Sequence, residues 1–175
     1  VIQAGLGRLR GELIGNGTMR KEDEPDHPLG GSPAFYEFNC TASEVAVDEG
    51  TGDVLLVRHV TVGDVGTALN PVQVAGQDEG AAVQGLGHSL YEELLYEDGQ
   101  PINASMVDYH VPSMDETPRQ FVTLLVESGD GPGPGGARGM GEGGILPVAP
   151  VIANALARRY GARVRDLPLT PEKVW

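Results

Sequence analysis

A glycine-rich stretch with one carboxylate is the part of this sequence best suited to chemistry. Residues 135–144 read GGARGMGEGG, and Glu142 is their only acidic residue. Glycine lets the backbone adopt positive φ and approach a ligand closely, so such a run suits a loop whose amides line a bound molecule. A carboxylate among apolar and backbone groups is poorly solvated and therefore more basic. We expect Glu142 to act as a general base beside a ligand.

The same stretch also fits two other interpretations. Gly139 to Gly144 satisfies the pattern G-x-G-x-x-G, and Asp166 follows at about the spacing that a dinucleotide fingerprint requires. That fingerprint must follow a strand directly, whereas residues 129–136 form a Gly/Pro-rich connector. A flexible surface loop with an incidental glutamate is the remaining alternative.

A second candidate surface lies on a predicted helix. Asn70 and Pro71 favour a helix start, and the pattern continues to about Leu94. Apolar residues at helical spacing predict a core face of Val72, Ala75, Val83, Leu86, Leu90 and Leu94. A second stripe consists of Gln73, Gln77, Gly80, Gln84 and Gly87. Each glycine costs about 1 kcal/mol relative to alanine, so either close helix packing or a polar ligand bound by the glutamine amides must compensate.

Composition excludes several classes of function. The formal net charge of -13 argues against a nucleic-acid or anionic-membrane surface. No apolar run approaches the roughly 20 residues of a membrane span, which favours a soluble, cytoplasmic protein. The single cysteine, Cys40, excludes an internal disulfide and a cysteine-ligated iron–sulfur cluster within these 175 residues. The four histidines lack zinc spacing, so we expect no protein-ligated metal; His88 and Glu92 are assigned to a solvated helix face.

The remaining patterns predict an α+β fold with a mixed or antiparallel sheet and packed helices. Gly161 is placed to end a helix that opens at Pro147 or Pro150, and Thr170-Pro171 favours a short terminal turn. A turn at residues 49–52 and a second hairpin over residues 94–102 are expected. Further extended segments are predicted at Phe35–Asn39, Glu44–Asp48, Asp53–Val62, Met106–Val111, Phe121–Val126 and Ala162–Leu167.

Four blocks in a fixed order carry a family resemblance. They are DVGTALNP at 64–71, GQDEG at 76–80 with QGLG at 84–87, GARGMGE at 136–142, and LPLTPE at 167–172. Together they resemble the C-terminal part of the molybdenum-binding large subunit of the xanthine dehydrogenase/aldehyde oxidase/carbon monoxide dehydrogenase family. The resemblance covers nearly the whole chain. It implies one C-terminal lobe, with residues 1–34 as an irregular lead-in and 35–175 as its core.

The resemblance also implies roles for particular residues. Glu142 matches the family's general base, and a molybdenum-molybdopterin cofactor is expected without direct protein ligands to the metal. Arg138 stands where many relatives have lysine, and Gly143-Gly144 replace the Pro-Pro of animal members, as in bacterial members whose pterin carries a cytosine dinucleotide. The residues expected to contact the cofactor are Gln77, Gln84, Arg138, Gly139, Met140 and Gly141.

The implied partners lie outside this chain. They are an upstream molybdopterin-binding lobe or subunit, an iron–sulfur subunit with [2Fe-2S] clusters, and a flavin subunit with FAD. The implied substrate is a small carbonyl, N-heterocyclic or CO-like molecule. The chain begins without methionine, as expected of a fragment or of one piece of a divided subunit that is inactive alone. A non-catalytic assembly module and a nucleotide-binding domain remain the alternatives.

Overall fold

The computed structural model describes residues 16–18, 35–161 and 163–175. Phe35–Trp175 forms one compact unit. The predicted irregular lead-in over residues 1–34 lies outside the described residues, apart from 16–18. In chain order the elements are β1 (Asn39–Val47), β2 (Val54–Asp64), α1 (Pro71–Leu90), β3 (Tyr96–Glu97), β4 (Gln100–Pro101), a 3₁₀ turn (Met114–Glu116), β5 (Gln120–Val126), a second 3₁₀ turn (Pro134–Gly136), α2 (Val148–Tyr160) and α3 (Pro171–Val174).

Three strands form a mixed sheet in the order β1-β2-β5. β1 pairs antiparallel with β2, with a register shift between Glu44 and Val45. β2 pairs in parallel with β5, and α1 lies in the connection between them. The turn between β1 and β2 follows from Asp48, whose carboxylate accepts hydrogen bonds from the amides of Gly50 and Thr51. Alternate residues of β1 are exposed, as in a strand with one face packed against the protein.

Helix α1 begins as the sequence predicts, but its buried face differs. The Asn70 side chain accepts a hydrogen bond from the Gln73 amide, and Pro71 occupies the first helical position. Val72 is 82% exposed, and the helix ends at Leu90. The buried positions are Asp78, Ala81, Ala82, Gly85, Leu86, Gly87, Ser89 and Leu90. Most of these residues are small or polar, so the predicted stripe of large apolar residues was partly wrong.

The core lies where α1 and α2 pack against the sheet. It consists of Leu56, Ala82, Leu86, Leu90, Val148, Ile152, Leu156 and Leu169. α2 ends at Gly161, whose φ of 76° is the left-handed conformation predicted for a C-terminal cap. The α+β class, the mixed sheet and the packed helices are therefore confirmed.

Three predicted strands were wrong. Residues 106–109 form a turn, in which the Tyr109 amide donates to the Ser105 carbonyl and the Ser105 hydroxyl donates to Asp108. Residues 163–167 form no strand. Beyond them the chain contacts the end of α1, where the Leu169 amide donates a hydrogen bond to the Ser89 carbonyl. Residues 35–38 are irregular, and the first strand begins only at Asn39.

Among the described residues, no helix is both long and apolar enough to cross a membrane.

Candidate active site

The glycine-rich loop is anchored at its start by the end of β2. The Arg138 amide donates to the Val65 carbonyl at 2.9 Å, and Gly66 leaves room for the Gly136 carbonyl, which a side chain at position 66 would strike. The Arg138 guanidinium lies 3.2 Å from the Asp64 carboxylate and also pairs with Asp130. The Arg138 side chain is only 9% exposed, and its pairing with Asp64 holds the start of the loop against the end of β2.

Hydrogen bonds, with a smaller contribution from Arg138, favour the charged form of its acidic partners. Amide donation from Gly66, donation from Ser128 and the nearby guanidinium lower the pKa of Asp64. The hydroxyl of Ser128 and the guanidinium of Arg138 likewise lower the pKa of Asp130. A further hydrogen bond, from Arg138 to the Tyr36 carbonyl at 2.9 Å, ties the segment before β1 to the same point. Both terminal nitrogens of the guanidinium are thus paired within the chain, whereas its buried Nε has no hydrogen-bond partner among the described residues.

Positive φ and close packing coincide at Gly136, where a Cβ would strike the Gly129 carbonyl, and occur separately at the other glycines of the loop. The positive φ angles belong to Gly135 and Gly136 in the connector. Further along, a Cβ at Gly139 would lie 2.8 Å from the Phe35 ring, and one at Gly144 would lie 2.9 Å from the Asp78 carboxylate. Gly141 differs, since a Cβ there has open space around it.

Helix α1 supports the loop through a glutamine. The Gln77 side-chain amide donates to the Gly141 carbonyl at 2.8 Å. The backbone amides of Gly139, Met140 and Gly141 find no acceptor among the described residues. This part of the loop therefore presents free donors beside an open glycine, an arrangement that suits a polar or anionic ligand.

Glu142 lies at a cavity of about 920 Å³. The cavity is also lined by Gln84 and His88 from α1 and by Glu37 and Asn39 from the start of the sheet. Glu142 is exposed in this chain, so the poorly solvated environment expected from the sequence is not present within the described residues. A second, buried carboxylate, Asp78, lies under the neighbouring turn and is 1% exposed.

The structure brings most of the predicted site residues together. Gln77 contacts the loop directly, and Gln84 shares the cavity with Glu142. Arg138 instead turns its side chain toward Asp64 and Asp130. The dinucleotide interpretation lacks its structural context, because β5 ends at Val126 and a 3₁₀ turn precedes the glycines.

Several residues at the cavity were missed by the sequence analysis. His88 is exposed as assigned, and its spacing from Gln84 places both at the cavity. Glu92 lies beyond the end of α1 and its side chain is only 13% exposed, so its assignment to a solvated helix face was wrong. Glu37 and Asn39 had no such signal, because they reach the cavity from a distant segment through the fold. No group of three or more histidine, cysteine or acidic residues that could hold a metal ion occurs in the described part of the chain.

Comparison with known proteins decides the family. The molybdopterin cofactor-binding domain family matches residues 3–118. This match includes Gln77 and Gln84 and ends before Glu142. The chain belongs to this molybdopterin-binding family. The resemblance stated from the four sequence blocks is thereby confirmed.

Individual relatives agree with this membership. The chain is 42% identical over 145 residues to the 6-hydroxypseudooxynicotine dehydrogenase complex subunit gamma of Paenarthrobacter nicotinovorans, over 80% of this chain and 18% of that protein. It is 33% identical over 165 residues to the probable hypoxanthine oxidase XdhD of Escherichia coli K12, over 94% of this chain and 16% of that protein.

A solved structure shows the same fold. The crystal structure of the aldehyde oxidoreductase from Desulfovibrio desulfuricans ATCC 27774 matches with a TM-score of 0.75 and 36% identity, over 83% of this chain and 16% of that one. This molybdopterin-binding chain thus spans less than a fifth of the length of the relatives that it matches.

Proposed function

We propose that this chain supplies the general-base side of the active site in a molybdenum-dependent hydroxylase or dehydrogenase. One observation carries the proposal: Glu142 lines a cavity beside a loop whose amides at residues 139–141 find no acceptor among the described residues. A base needs access to the proton that it removes, and an exposed carboxylate at a cavity has that access.

The residues present fit a molybdopterin cofactor. Gln77, Gln84 and the amides of Gly139, Met140 and Gly141 would bind its polar atoms, since amide groups offer both donors and acceptors. The open space at Gly141 lets the backbone approach the cofactor without a clash. When bound, the cofactor supplies the two-electron oxidation of the substrate. The cytosine dinucleotide form remains the proposed form.

Arg138 has a positioning role in this proposal. Its guanidinium is paired with Asp64 and Asp130, so side-chain contact with the cofactor requires that these pairs open. Its backbone, however, is continuous with the amides of the loop. We assign Arg138 to holding the loop in place.

Glu142 takes up a proton from the reacting centre and releases it to solvent through the open side of the cavity. Electrons leave through other subunits, because the single cysteine of this sequence cannot hold an iron–sulfur cluster. We therefore infer an iron–sulfur subunit, a flavin subunit and an upstream molybdopterin-binding lobe as partners. A small carbonyl compound, an N-heterocycle or a CO-like molecule is the substrate class.

Substitution of the base tests the proposal. In the assembled enzyme, Glu142→Gln should lower turnover at least about 100-fold, because the amide cannot accept the proton. Molybdenum content should stay unchanged, since Gln keeps the shape of the side chain. Turnover and molybdenum content should be measured on the same preparation.

Glu97→Gln is the matched control, because Glu97 is exposed on β3 and does not line the cavity. It should leave both quantities unchanged. Retained turnover in Glu142→Gln would refute the assignment of the base.

A further inference from the structure

Two carboxyl groups lie under the turn that follows Glu142. A Cβ at Gly143 would collide with the carboxyl group of Glu37, and one at Gly144 would lie 2.9 Å from Oδ1 of Asp78. The two carboxyl groups therefore pack against Gly143 and Gly144, which directly follow the proposed base. They come from separate elements, the segment before β1 and the middle of α1.

Both acids have a buried oxygen without a partner. Oε1 of Glu37 and Oδ2 of Asp78 make no hydrogen bond with any described residue, although each is shielded from solvent. Asp78 is 1% exposed; its other oxygen accepts a long hydrogen bond, 3.4 Å, from Asn39, and the Thr61 hydroxyl also favours its charged form. A buried carboxylate without sufficient donors is costly, whereas a proton on one acid removes a charge and supplies a donor.

We propose that Glu37 and Asp78 act as a positioning pair that holds one proton and one negative charge between them, and that this pair fixes the Gly143–Gly144 turn and so the base Glu142. The proposal rests on the proposed role of Glu142. A second charge on the pair would add repulsion directly beneath that turn.

The electrostatics of the site support this assignment. Burial and the neighbouring charge of Asp78 raise the pKa of Glu37, against the effect of the Gly143 amide. Burial raises the pKa of Asp78, although Thr61 and Asn39 favour its charged form. The charge of Asp78 acts on Glu37, and both groups lie beneath one turn, so we assign the proton to the pair and not to one residue.

The other titratable groups near the pair were considered as alternative sources of charge. Glu142 and His88 line the same cavity as Glu37, and Arg138 reaches the adjacent Tyr36 carbonyl. The guanidinium of Arg138 is already paired with Asp64 and Asp130. Among the described residues, a shared proton is the arrangement that reduces the negative charge of the pair from two to one.

Infrared spectroscopy of the assembled enzyme tests the pair without reference to turnover. At pH 7 the enzyme should show the carbonyl band of a protonated carboxyl group. Glu37→Gln should abolish this band, because Asp78 alone then ionises, and Asp78→Asn should abolish it for the reciprocal reason. Glu97→Gln should leave it in place. No band in the unsubstituted enzyme, or a band that survives either substitution, would overturn the proposal.

The pH profile of turnover tests the positioning role. Each single variant still carries one negative charge beneath the turn, so the acid limb of the turnover profile should stay in place. The double variant Glu37→Gln/Asp78→Asn loses that charge, and the limb should move to lower pH by roughly half a unit or more. Equal shifts in both single variants, or none in the double variant, would contradict a shared charge beside Glu142.

Failure of the two proposals can be told apart. If Glu142→Gln retains turnover, Glu142 is not the base, but the infrared bands still decide whether the pair holds a proton. If Glu142→Gln abolishes turnover and the infrared band is absent, the base assignment stands and the pair is refuted.

Discussion

A single buried histidine makes the sheet sensitive to acid. His59 of β2 is 0% exposed, its Nδ1 lies 2.8 Å from the Ser43 hydroxyl, and its ring lies against Phe121. Its Nε2 has no partner in the described part of the chain. Burial therefore lowers the pKa of His59 from the ordinary value of 6.5.

This lowered pKa predicts the direction of a pH effect on stability. Below pH about 6.5 the unfolded chain binds a proton at this histidine and the folded chain does not, so the free energy of unfolding should fall as pH falls. The slope from this group is at most about 1.4 kcal/mol per pH unit. Urea unfolding at several pH values between about 5 and 8 measures this slope.

His59→Asn should reduce that slope, while His110→Asn serves as the control because His110 is exposed. The acids Glu37 and Asp78 act in the opposite direction, since their raised pKa values make the folded state bind more protons as pH falls. An unchanged slope in His59→Asn would show that His59 is not the source of the acid sensitivity.

At the scale of single elements, the glycines of α1 serve different purposes. A Cβ at Gly85 would lie 2.8 Å from the Ile145 carbonyl and 2.8 Å from Val148 at the start of α2. Gly76 and Gly80 have open space instead. Close packing within the chain therefore explains Gly85, while the two open positions are left for a ligand or a partner.

Alanine substitutions should separate these two purposes. Gly85→Ala should destabilise the fold by about 1–3 kcal/mol through overpacking. Gly80→Ala should stabilise α1 by about 0.5–1 kcal/mol, because alanine is the better helix former and meets no neighbour. Thermal unfolding of both variants measures the difference. A stabilising Gly85→Ala would mean that the α1–α2 contact is looser than described.

The sequence predicted elements whose signals are local. Asn70-Pro71 and Gly161 marked helix ends correctly, because capping depends on neighbouring residues alone. Leu86 and Leu90 were predicted correctly as buried, whereas Asp78 and Gly85 were missed because hydrophobicity does not mark them as core residues. Their burial depends on the distant Gly144 and Ile145.

The candidate site, like the fold, was predicted only in part from the sequence. Gln77, Gln84 and Glu142 came from motif resemblance, and the structure places them around one loop and cavity. Their roles remain predictions. Glu37 could not be found in this way, since it enters the site only through the folding of the sheet onto the loop.

At the scale of the whole molecule, the site faces outward. Glu142, Gln77 and Gln84 are all exposed in this chain. The chain spans less than a fifth of the length of its relatives. These facts support a cofactor site that is completed by another lobe or subunit.

Purification from source cells under mild conditions tests this assembly. Molybdenum should elute in a complex larger than the 18.4 kDa chain, because an exposed half-site binds a cofactor weakly. Native mass and metal content, measured on the same fractions, check this. A stable complex without molybdenum or pterin would favour the non-catalytic assembly module instead.

The parallel pairing of β2 with β5 also has a kinetic consequence. Arg58 and Gln120, which are hydrogen-bonded across this pair, are 62 residues apart in sequence. The chain must close this long loop before the contact stabilises it, and such non-local contacts slow folding. During synthesis β2 and α1 emerge well before β5 and the Glu142 loop. The Glu142 loop therefore reaches its contacts with β2 and α1 only after both of these elements have been synthesised.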